Sequence, residues 1–412
     1  MKKGEDMALF IQVFLTFVFL EFFGGQAVGA GFAVYEQGAA AMGQGDAFAA
    51  RADNPSAIFY NPAGIVQLEG TQASLGATAI IVESEFRSNT TGLTTDMFQQ
   101  ITFPLHFFLT HPISENVSLG FGAFSPFGLK TDWPENWEIS RFSYRSSVET
   151  LYINPTVAWR PHEKVMVGFG INYVRGRSEL RRKVPDPFLG PDHDLNIHSG
   201  EGDGWGYNFG SLFLISERTS LGASFRSQVR IDYEGRAESS FPGFVNGAAF
   251  TTLTMPPIAV VGLSHHFFPN FALELDFQWT GWSTIQNLDL SFENSVFDTS
   301  IPRNWNDVFA IHLGGEYWFN EVLAFRAGYT FDETPIPDNT MDPILQDATR
   351  DIFSFGIGYT SGILTTDLAY DVFFLRDRDV NNVLPALIPV TQNGTYETIG
   401  HLIALSFTFI FN

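Results

Sequence analysis

Residues 395–411 read TYETIGHLIALSFTFIF. From residue 402 the alternation is unbroken: Ile403, Leu405, Phe407, Phe409 and Phe411 fall on one parity, and Leu402, Ala404, Ser406, Thr408 and Ile410 on the other. Successive side chains on a strand point to opposite faces, so this segment has one large apolar face and one of smaller, partly hydroxylated residues. The same device recurs upstream. Leu364, Leu368, Tyr370, Val372 and Phe374 oppose Thr365, Asp367, Ala369 and Asp371. Phe353, Phe355, Ile357 and Tyr359 oppose Ser354, Gly356 and Gly358. Phe309, Ile311, Leu313 and Tyr317 oppose Ala310, His312, Gly314 and Glu316, and Phe271, Leu273, Leu275, Phe277 and Trp279 oppose Ala272, Glu274, Asp276 and Gln278. A face of charges and glycines does not suit a soluble core. It suits a lumen, with the aromatic face turned to lipid.

Carried along the chain, this reading predicts fourteen strands: 71–86, 98–111, 117–124, 143–160, 165–184, 202–216, 220–237, 250–266, 271–292, 305–319, 323–331, 350–360, 364–374 and 395–411. An even count is what a closed bacterial barrel requires, and most segments reach the ~9–11 residues needed to cross. Short connections (112–116, 161–164, 217–219, 267–270, 320–321, 361–363) alternate with long ones (87–97, 125–142, 185–201, 238–249, 293–304, 332–349, 375–394). Short turns at one end and long loops at the other place both termini of the barrel on the periplasmic side.

Composition agrees. Charged residues are 17% and aromatics 15%, with 43 Phe, yet mean hydropathy is close to zero. There is no cysteine, which excludes disulfides, thiolate metal sites and thiol nucleophiles. Net charge is −22. Lys2, Lys3, Glu5, Asp6 and Glu21 lie in the first thirty residues, so the remainder carries 21 basic and 42 acidic residues, or −21. That balance argues against nucleic acid as a partner. The start itself reads as an export signal: Lys2-Lys3, a mostly apolar run from Ala8 to Phe23, then Gln26-Ala27-Val28-Gly29-Ala30 with small residues for cleavage after Gly29 or Ala30. No other apolar run approaches the length of a spanning helix, so a membrane location implies a closed barrel.

Residues 31–64, GFAVYEQGAAAMGQGDAFAARADNPSAIFYNPAG, do not alternate, and fifteen of the 34 are Gly or Ala. Asn54-Pro55 and Asn61-Pro62 favour turns. Such a segment is too poor in bulky apolar residues to fold alone. It is expected to pack as a plug inside the tube, the alternative being a disordered periplasmic tail. The expected organisation is thus a signal at 1–30, a hatch at 31–70 and a barrel at 71–412.

Gly31-Phe32-Ala33-Val34-Tyr35-Glu36-Gln37, Met42-Gly43 with Asp46-Ala47, and Asn61-Pro62-Ala63-Gly64 resemble the N-terminal hatch of the FadL and TodX family. Trp305-Asn306-Asp307, Phe325-Arg326-Ala327-Gly328 and Phe331-Asp332-Glu333-Thr334-Pro335-Ile336-Pro337 are similar to that family's last third. Two positions depart: the chain ends Phe411-Asn412 rather than on an aromatic residue, and Asn306 stands where some fatty-acid members have Lys. The resemblance implies a 14-stranded antiparallel all-β transmembrane barrel with an internal hatch. It further implies passive uptake of hydrophobic compounds by loop capture, an internal pocket, hatch movement and lateral exit into the bilayer. Long-chain fatty acids are the first expected ligand. Aromatic hydrocarbons or alkanes are the alternative, and a general porin or barrel lipase the readings of a different class. No G-x-S-x-G, H-E-x-x-H, P-loop or Rossmann pattern occurs.

The expected gate is Gly31, Phe32, Asn61, Pro62 and Ala63 of the hatch. Pro126 and Gly128 end the third strand early and mark a kink or lateral exit. Phe127, Leu129, Trp133 and Trp137, apolar on the long-loop side, with Phe244, are expected to form a capture groove; interfacial anchoring is their other reading. Inward parity is assigned to Arg226, Arg230, Glu274, Asp276, His312, Glu316, Arg326, Asp367 and Asp371. Arg226, Arg230 and Arg326 are the candidates to meet a ligand carboxylate, against the commoner role of bracing acids in the lumen. His193 and His198 among Asp192, Asp194, Glu201 and Asp203 match no metal motif and read as a solvated acidic loop. No cofactor or metal is expected; the partners are a hydrophobic small molecule, outer-membrane lipid and lipopolysaccharide, with the barrel acting as a monomer.

Overall fold

The computed structural model describes residues 31–186, 190–244, 246–385 and 389–411. The signal reading of 1–30 lies outside them. Fourteen antiparallel strands close a barrel: β1 (Thr71–Ser88), β2 (Leu105–Ser114, preceded by pieces at Thr94–Asp96 and Gln100–Thr102), β3 (Val117–Phe124), β4 (Arg145–His162), β5 (Val165–Val184), β6 (His193–Ser216), β7 (Thr219–Arg226, resumed at Val229–Ser239), β8 (Gly247–Met255 and Ile258–Phe268), β9 (Phe271–Thr280 and Asn287–Phe292), β10 (Thr299–Pro302 and Val308–Trp318), β11 (Leu323–Asp332), β12 (Arg350–Ser361), β13 (Leu364–Leu375 and Arg378–Leu384) and β14 (Val390–Phe411). Each pairs with the next, and β14 returns to β1 in register from Thr71↔Phe411 to Ser88↔Gly394. Closure leaves no free edge, which is the condition for a sheet in hydrocarbon.

The outer face carries the predicted parity: Phe277, Phe309, Phe355, Leu368 and Ile403 are exposed, while Asp276, Ala310, Ser354, Asp367 and Leu402 beside them are buried. Strand existence matches the alternation, but several strands run longer. β6 begins at His193, nine residues before its apolar alternation, and its ladder with β5 continues to Val184↔His193. The long connections are therefore partly hairpin arms. They stand beyond the apolar band, so their backbone pairing carries no hydrophobic period for the sequence to reveal.

Residues 31–68 lie inside the barrel. They form helical turns at Ala39–Met42 and Ala57–Tyr60 and a 3-10 stretch at Pro62–Gln67, and most of their side chains are buried. The hatch fits because the wall supplies glycines where its backbone passes. A Cβ at Gly222 would overlap the Ala49 carbonyl, one at Gly328 the Gln44–Gly45 peptide, and one at Gly168 the Pro62–Ala63 peptide. Introducing a side chain at such a point should evict the hatch without opening the barrel. Gly222→Val is expected to keep the heat-modifiable gel migration of a folded barrel while Arg51, buried in the wild type, becomes a tryptic site. Unchanged protection of Arg51 would show that the fit at Gly222 is not what seats the segment.

Candidate functional site: the hatch, its gate and the mouth cavity

The body of the hatch has little regular structure, so its backbone donors need partners from the wall. Asp276 Oδ2 accepts from the N–H groups of Phe48 and Ala49, both at 2.9 Å, and Glu274 Oε1 from Ala50 at 2.6 Å and Arg51 at 3.4 Å. Gly45 carbonyl oxygen accepts from Thr330 Oγ1 at 2.8 Å and lies 2.8 Å from His312 Nδ1. Asn61, flagged in the sequence, donates from Nδ2 to the carbonyls of Ala49 (2.6 Å) and Ser211 (3.0 Å), while its Oδ1 accepts from Ala63 N–H. It joins hatch to wall through the turn that Pro62 begins. Arg51 meets Glu316 at 2.9 Å, and Arg326 joins Glu316 and Asp367, both at 2.7 Å. Arg326 is thus inward as expected, but its charge is spent on bracing acids.

The leader, residues 31–37, is held differently. β3 stops at Phe124, and the chain resumes pairing with β4 only at Gly128–Asp132. β2 is interrupted nearby, at Phe103–Pro104. Into this break the leader adds a short strand: Val34 N–H donates to the Pro126 carbonyl and Gly128 N–H to the Phe32 carbonyl, both at 2.8 Å. Pro126 lies within the break and Gly128 at its end. Phe32 is buried against Trp282 (ring centroids 4.9 Å apart), Trp305 (5.9 Å) and Phe127 (6.1 Å). Gly31 adopts φ +60°, and its would-be Cβ meets the Trp282 ring, so only glycine fits there. Its N–H donates to Asp347 Oδ2 at 3.1 Å. Burial pushes the Asp347 carboxyl up to about 6.

Three expectations are corrected. Arg230 points outward, exposed and paired with Asp232 at 3.0 Å. Ser227 and Gln228 interrupt β7, and the strand resumes with inverted parity, so Arg226 is inward and Arg230 is not. Phe127, Leu129, Trp133 and Trp137 are buried rather than lining an exposed groove. The segment turns into the barrel mouth, where Trp133 stacks on Trp137 at 4.4 Å. Phe244 does not join them; it packs on Phe297 (4.9 Å) and Phe292 (5.8 Å) instead. His193 and His198 sit on strand β6 rather than in a loop, His193 2.9 Å from Asp186.

Phe244 lines a mouth cavity of ≈160 Å³ with Phe241, Leu195, Phe292, Phe297, Arg141, Arg182 and Lys183. Arg141 is paired with Asp192 and Lys183 with Asp194, both at 2.7 Å. Arg182 is buried, its Nε lacks a hydrogen-bond partner, and it has no carboxylate partner among the described residues. Sequence reading missed it, since Arg181-Arg182-Lys183 looks like an ordinary basic run. Arg226, deeper in the lumen, also has no acid: it donates to Asn172 Oδ1 (2.8 Å) and the Phe59 carbonyl (3.1 Å), with its guanidinium 5.1 Å from the Phe59 and Phe124 ring centres.

A closed, plugged barrel with an aromatic cluster at a break in its wall has the architecture of an outer-membrane channel for hydrophobic molecules. The chain belongs to the outer membrane protein transport protein family (OMPP1/FadL/TodX), whose model matches residues 20–411. It is 24% identical over 370 residues to the long-chain fatty acid transport protein of Salmonella typhi, covering 81% of this chain and 85% of that one. Its fold is that of a Pseudomonas aeruginosa FadL homologue (TM-score 0.85, 21% identity, 93% of this chain and 100% of the other). It is also that of the P. putida toluene transporter TodX (TM-score 0.75, 16% identity, 91% and 98%). The protein is an outer-membrane transporter and not an enzyme.

Phe32 anchors the outer end of the leader in the aromatic cluster. Truncating a buried Phe costs about 3–5 kcal/mol, enough to loosen that end although Gln37 still holds the inner end to Ser125 and Tyr60. Since the chain has no cysteine, Val34→Cys reports the leader directly. Adding Phe32→Ala should raise its maleimide labelling rate at least ten-fold; equal rates would mean the aromatic cluster does not hold the leader.

Proposed function

We propose that the chain takes up apolar molecules carrying an acidic head, of which long-chain fatty acids are the first candidates. The observation that carries this reading is Arg182: a buried guanidinium without an acid, facing a cavity walled by phenylalanines. A buried charge is costly unless it is paired. A carboxylate arriving with its own alkyl chain would supply the pair and fill the apolar wall. Arg226 would offer a second such partner beside the hatch.

In this reading the mouth cavity captures the amphiphile, and the tail descends past Ile231, Tyr233 and Met255, which are buried inside the barrel, to the gate. Release of Phe32 would open the break at Ser125–Phe127, and the ligand would leave sideways into lipid. Gly31, Phe32, Pro126 and Gly128 are then the moving and flanking parts; Asn61, Pro62 and Ala63 are the fixed turn of the hatch. Residues 1–30 act as a signal removed on export. The barrel works as a monomer, because its own wall contains the whole path.

Uptake of neutral aromatic hydrocarbons or alkanes is the second reading. The Phe32, Phe127, Trp282 and Trp305 cluster favours it, being apolar and without charge of its own. Displacement of a fluorescent fatty acid from the purified full chain by oleate and by toluene separates the two. A hydrogen bond to a charged group is worth about 1.5–3 kcal/mol. Arg182→Ala should therefore weaken oleate roughly ten-fold or more and leave toluene unchanged, with Arg230→Ala affecting neither. Equal losses for oleate and toluene, or no loss for either, would remove Arg182 as a carboxylate partner and with it the case for an acidic head.

A further inference from the structure

Three carboxylates from distant parts of the chain meet inside the barrel: Glu36 at the end of the hatch leader, Asp46 in the hatch body and Asp371 on β13. One oxygen of each lies within 4.8 Å of the other two, and all three residues are buried. Hydrogen bonding accounts for little of this charge. Asp46 Oδ1 accepts from the Tyr60 hydroxyl at 2.5 Å. Both oxygens of Asp371, 1% exposed, have no hydrogen-bond partner of ordinary geometry among the described residues, the Ser354 hydroxyl being the group that acts on them. Arg350, the cation whose field reaches Glu36, is ion-paired with Asp332 at 2.5 Å.

A separate polar group is directed at the same place. Ser354 of β12 lies directly across from Asp371 in the strand register. It is fully buried, and its hydroxyl acts on Asp371 without a well-formed hydrogen bond to any described residue. Uncompensated charge does not persist at such burial, so positive charge must reach the cluster. Carboxylate and hydroxyl oxygens are ligands for hard cations. Carboxylate oxygens that lie within 4.8 Å of one another can share one such ion. Calcium accepts irregular all-protein oxygen shells, whereas magnesium demands near-ideal octahedral geometry and keeps several waters, which a buried cluster does not suit.

We propose that Glu36, Asp46 and Asp371, completed by the Ser354 hydroxyl, bind a divalent cation of the calcium class that fastens the hatch leader to the hatch body and the barrel wall. Glu36 directly follows the leader residues that close the wall break, so the ion holds the leader's inner end while Phe32 holds its outer one.

Terbium tests this in the full chain purified in detergent and freed of metal. Tyr60 touches Asp46, and Tyr35 lies 5.5 Å from Tyr60 between ring centres; both can sensitise a bound lanthanide. The expected result is tyrosine-sensitised emission from one ion per chain, displaced by calcium. Apparent affinity should fall at least ten-fold in Asp371→Asn and be unchanged in Glu115→Gln, an exposed turn residue. Asp46→Asn serves in place of Asp371→Asn should the latter lose heat-modifiable migration. Absence of calcium-displaceable emission, or the same emission from the folded variant, overturns the proposal and leaves protons as the neutralising charge.

Discussion

The grip of Glu274 and Asp276 on four consecutive backbone N–H groups sets the terms for the rest of the molecule. A stretch with only single helical turns cannot satisfy its own donors, and inside a tube there is little water to do so. Two adjacent inward carboxylates on β9 supply the acceptors. Once they fix residues 48–51, the remaining wall contacts follow: Arg51 onto Glu316, Asn61 onto Ser211, and glycines at 168, 222 and 328 where the backbone presses closest. The hatch body is therefore held by charge and hydrogen bonds along much of its length.

The leader is held by other means. Two backbone hydrogen bonds, the Gln37 side chain on Ser125, a glycine N–H on Asp347 and the Phe32 ring tie it to the break in the wall. Its outer end, seated in an aromatic cluster, is thereby set apart from the hatch body. Buried polar contacts are lost at a penalty in a dry interior. An aromatic contact can be exchanged for an incoming apolar molecule at little net cost. A hydrophobic ligand is the kind of agent that could compete for the Phe32 site without disturbing the body.

Much of this was legible before any coordinates. Period-2 alternation found the strands, and the absence of a large apolar face at 31–64 set the hatch apart. Pro126 and Gly128 placed the break because neither suits a continuous inner ladder. What escaped was information that resides in neighbours. The interruption at Ser227–Gln228 contains neither Pro nor Gly, and the signal for the parity change that turned Arg230 outward lay across the ladder, in Pro256-Pro257 of β8. Apolar residues on the loop side, Trp133 and Trp137 among them, looked like exposed surface until the mouth was seen to fold inward over them. Arg181 is paired with Glu179 and Lys183 with Asp194, whereas Arg182 between them is buried with no acid among the described residues. Glu36, Asp46 and Asp371 are up to 335 positions apart and share no spacing.

Charge accounting links these separate features. In a chain of net charge −22, acids are plentiful and a buried arginine should readily find one. Arg51, Arg326 and Arg350 do. Among the described residues Arg182 and Arg226 do not, and both face the interior. Conversely, the cluster at Asp371 gathers three acids, and the cation whose field reaches them, Arg350, is already paired with Asp332. Misplaced charge of each sign therefore occurs at separate points, the unpaired guanidiniums near the mouth and hatch and the unpaired carboxylates beneath the leader. Each is costly in the unliganded protein, and under the two proposals each cost would be relieved by a different visitor, an anionic amphiphile in one case and a hard cation in the other. The two need not compete, because one bears on entry to the lumen and the other on how firmly the leader closes it.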